Sequence, residues 1–187
     1  MRQKMKQLMG ILLSLAMVLG LMPGMSLTAY AATETYTKLM NDKTVVKFNN
    51  YNWYIIADDS TATGGTVTLL AADTSFGTLT FKSDGSSNSY NGSDVKAYLD
   101  KIVAGTAGAG KPNFMAVADA IQPVTLTTYK YNSTTEVAET TTDAKLYLLS
   151  TSEAGPYANF NFTGANLGGW WLCSLGRLDY YAAFVYG

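Results

Sequence analysis

The stretch Trp170-Trp171-Leu172-Cys173-Ser174-Leu175-Gly176 runs on through Arg177-Leu178-Asp179-Tyr180-Tyr181-Ala182-Ala183-Phe184-Val185-Tyr186 to Gly187. In an extended chain successive side chains point to opposite faces, so two adjacent tryptophans cannot both enter one core. One is expected to anchor the stretch while the other stays near the surface. After Gly176 a cation, an anion and four aromatics fall within ten positions, a mixture closer to a recognition surface than to a plain core strand. The same residues also read as a last core strand with its packing, with Trp170 or Trp171, Ala183 and Val185 beneath it by alternation.

Everything upstream reads as support for that stretch, after a leader is set aside. Arg2, Lys4 and Lys6 precede an apolar run from Leu8 to Leu21, and Ala29-Tyr30-Ala31 supplies a small-x-small site. This is the pattern of a secretory signal peptide, with cleavage expected after Ala31 and no membrane span left in the mature chain. Residues 1–31 are therefore expected to be the signal and residues 32–187 a single domain, long enough to bury a core without disulfides.

Losing the signal removes three of thirteen basic residues and none of the fourteen acidic ones, which leaves ten against fourteen and a net charge of −4. That balance argues against nucleic acid as a partner, since phosphate-binding proteins cluster Lys and Arg. The chain has one cysteine, Cys173, and no histidine. No intramolecular disulfide can form, Ser-His-Asp and Cys-His mechanisms are excluded, and a zinc site lacks its usual ligands. Cys173 reads as a small, partly buried side chain. The sequence assigns no catalytic residue, no metal ligand set and no cofactor, although calcium at Asp58, Asp59, Asp73 or Asp84 is open.

Working backwards from the tryptophans, Asn159 to Gly169 reads as a glycine-rich linker. Ser152-Glu153-Ala154 reads as a helical turn interrupted at Gly155-Pro156, and Lys145 to Ser150 as a short buried strand. Asn132 to Asp143, rich in threonine, serine and acids without periodicity, reads as a surface loop, and Val124 to Tyr131 as extended. Two helices are expected. Ser93 is a good N-cap, and Val95, Tyr98, Leu99, Ile102 and Val103 recur with helical spacing up to the glycine-rich run Gly105 to Gly110. Phe114, Val117, Ala118 and Ile121 share a face over residues 113–121, closed by Pro123. Asp73 to Asn91 is a long polar loop with Phe76, Phe81 and Tyr90 as anchors. Ahead of it, Val45 to Phe48, Trp53 to Ile56 and Thr66 to Ala72 form an antiparallel meander, with a turn at Asn49 to Asn52. The fold class is α+β.

Three fragments carry a resemblance: Tyr90-Asn91-Gly92-Ser93-Asp94-Val95-Lys96-Ala97-Tyr98-Leu99, the run Lys145 to Ala154, and above all Trp170 to Gly176. Together they resemble a domain family of secreted Gram-positive gut bacterial proteins whose signature is WWLRSPG. In that family an AAFV-like segment follows, matched by Ala182-Ala183-Phe184-Val185, and then a closing strand. Cys173 stands where the family has arginine and Leu175 where it has proline. The resemblance implies a C-type-lectin-like fold of antiparallel strands, two short helices and long loops, here without its closing C-terminal strand. It also implies that the segment lies where C-type-lectin-like proteins diversified by retroelements concentrate their substitutions.

The leading expectation is a secreted or cell-surface binding module that presents Trp170, Trp171, Arg177, Asp179, Tyr180, Tyr181, Phe184 and Tyr186 to a protein or glycan ligand. Aromatic faces stack on sugars, and Arg177 with Asp179 can fix orientation through charge-assisted hydrogen bonds. Two alternatives stay open. One is a non-binding structural segment of a surface protein. The other is a carboxylate-based glycosidase, for which Glu153 is the glutamate to inspect; formylglycine-type chemistry needs a cysteine pair or copper ligands that a single cysteine cannot supply.

Overall fold

A computed structural model describes residues 44–59, 65–72, 75–77, 79–155, 170–178 and 182–185. The signal segment, the linker 159–169, and Asp73, Asp179, Tyr180, Tyr181 and Tyr186 lie outside the described residues. The chain divides into two compact units, Met1–Ser75 and Phe76–Gly187. Among the described residues strands pair antiparallel in three sheets alongside a few helices, so the class is α+β. Among the described residues no helix is long and apolar enough to cross a membrane.

The first unit holds the expected meander: β1 (Val46–Phe48), β2 (Tyr51–Asp58) and β3 (Val67–Ala71), in the order β1-β2-β3. Its first turn is tighter than the sequence suggested. Asn49 and Asn50 both take positive φ, 49° and 66°, and Phe48 pairs directly with Tyr51. Asparagine tolerates the left-handed region, and a two-residue turn of this hand matches the twist of paired strands. Tyr51 and Asn52 are thereby released into β2. The indole N–H of Trp53 donates to the Phe48 carbonyl at 3.1 Å, which ties the strand back to its turn.

In the second unit, α1 (Asp94–Val103) forms as its cap and periodicity require. Ser93 Oγ accepts from Lys96 N at 3.0 Å, Asp94 sits at the positive end of the helix dipole, and Val95, Leu99 and Ile102 are buried. On the outer face Lys96 Nζ reaches both oxygens of Asp100 at 2.6 Å. The helix ends at Gly105, whose φ of +71° favours glycine, and a Cβ there would meet the Asn113 side chain and Met115 Cβ at 3.0 Å. The second expected helix is a 3-10 helix, Met115–Ala120, confined between Pro112 and Pro123. Tighter winding suits so short a run. Phe114, just before it, is fully buried, donates its N–H to the Ile102 carbonyl at 3.0 Å, and lies 5.9 Å from the ring of Phe76.

The largest departure from the sequence reading follows. Residues expected as a surface loop contain β5 (Val137–Ala144), paired antiparallel with β4 (Val124–Tyr129). Threonine is β-branched and suits a strand, but two register shifts break the alternation that would have revealed it. What fixes β5 is a set of side-chain bonds to a distant loop. The Glu139 carboxylate accepts from Ser89 Oγ and Tyr90 N, both at 2.6 Å, and from Asn91 N at 3.4 Å. Asn91 returns the grip through Nδ2 to the Thr140 carbonyl at 3.0 Å and accepts from Thr141 Oγ1 at 2.5 Å. Between them Tyr90 is fully buried, and its hydroxyl accepts from Leu148 N at 3.3 Å.

The segment from Lys145 to Ser150 is not a ladder strand. It lies between elements and bonds to each singly: Lys145 Nζ to the Ala118 carbonyl at 2.6 Å, Leu148 N to Tyr90, and the Leu149 carbonyl to Cys173 N at 3.0 Å. It ends in α2 (Thr151–Ala154), the helical turn expected there, where Ser150 and Glu153 form a reciprocal capping box.

Candidate binding site

The tryptophan motif forms β6 (Trp170–Leu175), and the AAFV segment forms β7 (Ala182–Val185), joined as an antiparallel hairpin. Trp170 faces Val185, Trp171 faces Phe184 and Leu175 faces Ala182. Four steps along β6 therefore oppose two along β7, so β6 bulges over Leu172, Cys173 and Ser174. These three neighbours are all buried, which an alternating strand with one wet face cannot achieve. Cys173 N donates to the Leu149 carbonyl at 3.0 Å. Ser174 Oγ accepts from Thr151 N at 2.9 Å and lies 3.3 Å from Thr151 Oγ1.

Trp171 is anchored to the loop that carries Leu79 and Phe81. Half-buried, it donates its indole N–H to the Leu79 carbonyl at 3.0 Å and meets the buried Phe81 ring edge to face, with centroids 5.7 Å apart at 60°. Trp170 and Phe184 take their places in the ladder. On β7 the phase is the reverse of the expected one: Ala182 is buried and Ala183 half-buried, because the register sets Trp171 opposite Phe184 and alternation along β7 carries Ala182 to that same face.

Beyond β6 the chain emerges. Arg177 and Leu178 are exposed, with Leu178 at 42%, yet the backbone there is held by Asn88, whose Nδ2 donates to the Leu178 carbonyl at 2.9 Å. Asn88 and Leu79 were not singled out by sequence reasoning, and their partners lie about ninety positions away, beyond any local signal. The only hint was the density of Ser, Asn and Gly in a loop too long to be idle.

The chemistry of the surroundings is quiet. Burial, reinforced by the Glu153 carboxylate, pushes the Cys173 thiol up to about 12, so it is a protonated thiol at neutral pH rather than a nucleophile. Burial and the same carboxylate raise the Tyr147 hydroxyl to about 12. Glu153 itself accepts from Ser150 N at 2.8 Å and Ser150 Oγ at 2.7 Å within the capping box. Asp84 is held below the usual carboxylate range by hydrogen bonds from the Ser86 side chain and backbone. Among the described residues no group of three or more His, Cys, Asp or Glu is placed to hold a metal ion.

Comparison with protein-family models, curated proteins and solved structures gives no match.

Proposed function

We propose that the chain is an exported binding module of C-type-lectin-like fold that presents the connection between β6 and β7 to a protein or glycan ligand at a cell surface. The observation that carries this reading is the contrast within one short segment. Asn88 fixes the backbone at Leu178 while the side chains of Arg177 and Leu178 stand in solvent. Fixing a backbone before a ligand arrives lowers the entropic cost of binding. In this reading Trp171 anchors the hairpin, Arg177 and Asp179 orient the ligand, and Tyr180, Tyr181, Phe184 and Tyr186 extend the contact with Trp170. The module binds without chemistry: Glu153, the carboxylate with a claim to catalysis, is occupied as a helix cap.

The test compares the exported protein with the double variant Arg177→Ala/Leu178→Ala on arrays of immobilised glycans and purified surface proteins. Binding weakened at least tenfold, with an unchanged melting temperature, is the expected result. A ligand held equally well by both proteins would sink the reading. Diversification has its own check in sibling strains, where changes clustered from Cys173 to Tyr186 support it and uniform drift along the chain counts against it.

A further inference from the structure

The loop over residues 79–91 bonds to both hairpins and is held in two halves. In the first half Phe81 packs edge to face on Trp171, its carbonyl accepts from Asp94 N at 2.9 Å, and Ser83 N donates to Asp94 Oδ2 at 2.8 Å. The first residue of α1 therefore secures that half. The second half is gripped from β5, where the Glu139 carboxylate accepts from the Ser89 hydroxyl and from the backbone N–H groups of Tyr90 and Asn91. Asn88 stands immediately before this grip, half-buried, and its Nδ2 donates to the Leu178 carbonyl at 2.9 Å. Ser89 N also donates to Ser87 Oγ at 3.0 Å, which closes a turn over Asn88.

Whether the Asn88 amide meets that carbonyl depends on the backbone that carries it. Only φ and ψ are soft between planar peptide groups, so holding Ser89 at its hydroxyl and Tyr90 at its nitrogen narrows the directions in which the Asn88 side chain can leave the chain. A hydrogen bond weakens steeply once its donor falls out of line, so a loop released at residues 89 and 90 takes the donor off Leu178. Bonds to a carboxylate are stronger than those between neutral groups, which makes Glu139 the firmer hold on the loop and the Ser87–Ser89 turn the weaker. We infer that Glu139 is a positioning residue for the β6–β7 connection and acts through Asn88: a carboxylate on β5 decides whether the backbone at Leu178 is fixed. The coupling belongs to the folded chain itself, and its service to recognition rests on the binding role proposed for Arg177 and Leu178. A ligand seated on those residues steadies residues 88–91 in return, because coupling between two sites is reciprocal.

The test needs no ligand. In the exported protein, Asn88→Ala, Glu139→Ala and the double variant are compared by the carbonyl carbon resonance of Leu178, the indole N–H resonance of Trp171 and the rate of tryptic cleavage after Arg177. Cleavage after Lys101, an exposed residue followed by buried Ile102 in α1, measures global opening. Glu139→Ala should move the Leu178 signal most of the way to its position in Asn88→Ala and leave the Trp171 signal in place, since Asp94 still secures the first half of the loop. It should also speed cleavage after Arg177 several-fold more than cleavage after Lys101, and the double variant should be cut no faster than Asn88→Ala alone. If Glu139→Ala does not fold, Glu139→Gln, which keeps one acceptor oxygen, carries the same comparison with a smaller shift in the same direction. A Leu178 signal unmoved by the change at Glu139 would overturn the inference, as would a double variant whose cleavage rate is the product of the two single effects. Equal displacement of the Trp171 signal, or equal acceleration after Lys101, would mark general loosening and would overturn it too. An unmoved Leu178 signal leaves the binding role standing, whereas a moved signal in a protein that binds nothing on the arrays removes that role and keeps the coupling.

Discussion

Hairpin β6–β7 buries three consecutive residues, Leu172, Cys173 and Ser174, whereas β4–β5 buries spaced ones, Leu126 and Thr128 on one strand and Thr141 and Ala144 on the other. Both hairpins are antiparallel and both are irregular, yet they are secured by opposite means. The first encloses the bulge of β6, and hydrogen bonds to Leu149 and Thr151 complete that packed environment. The second keeps one face in water and owes its place to a single half-buried carboxylate, Glu139, and one amide, Asn91. Packing is non-directional and tolerates small shifts; a charged hydrogen-bond hub does not, because removing it strands its donors. The two hairpins should therefore fail differently.

The sharpest way to break the second is through Tyr90. Tyr90→Ala removes a fully buried ring and should cost about 3–5 kcal/mol in urea unfolding. Tyr90→Phe, which only deprives Leu148 N of its acceptor, should cost about 1–2 kcal/mol. Equal losses would mean that the hydroxyl, not the ring, organises the loop. Next comes Glu139→Ala, expected at about 2 kcal/mol by the same measurement, with faster amide exchange at Tyr90 and Asn91. Unchanged exchange there would show that the loop holds its shape without the carboxylate.

For the enclosed hairpin the informative variable is pH. Burial raises the Cys173 thiol to about 12, while in an unfolded chain it ionises near ~8.5. A group whose folded value is raised contributes its stability below the unfolded value and loses it as pH rises towards the folded one. Stability should thus fall from about pH 9 upward, and Tyr147, also raised to about 12, should add to the fall above about pH 10. Cys173→Ala should flatten the first part of that decline in melting curves taken across alkaline pH; an identical decline would absolve the thiol. Smaller still, Asn88→Ala should cost about 1 kcal/mol while accelerating tryptic cleavage after Arg177 several-fold, since the clamp on the next carbonyl is gone.

Much of this arrangement was legible in the sequence where the signal is local. Ser93 and the spacing from Val95 to Val103 announce α1, and alternating β-branched and aromatic residues announce the meander. Of the tryptophan pair, Trp171 is tied down through its indole N–H to the Leu79 carbonyl. What stayed hidden rests on partners far along the chain. Glu139 reads as one more acid in a polar stretch until it meets residues 89–91 some fifty positions earlier, and that meeting is what makes residues 137–144 a strand. Lys145 to Ser150 misled in the opposite direction. Its apolar run satisfies the pattern of a strand, but its bonds are shared out one by one among Ala118, Tyr90 and Cys173. The phase of β7 was hidden as well, since it follows from the pairing of Trp171 with Phe184, which carries Ala182 to the same face.

Asn91 is followed by Gly92, the pairing most prone to slow conversion of asparagine to aspartate, because the glycine nitrogen can attack the neighbouring amide unhindered. Here the amide is occupied by Thr140 and Thr141, and Gly92 N is directed to Ser89 Oγ at 3.4 Å. These bonds should therefore slow the conversion at that site. Were conversion to occur, a new negative charge would arise beside Glu139 and the donor to Thr140 would be lost, loosening the loop and exposing further sites to the same fate. Peptide mapping of long-stored protein should find residue 91 intact in folded material and converted in a Glu139→Ala sample; equal conversion in both would remove the protective role. A bond that positions a loop in space would then also act as its clock.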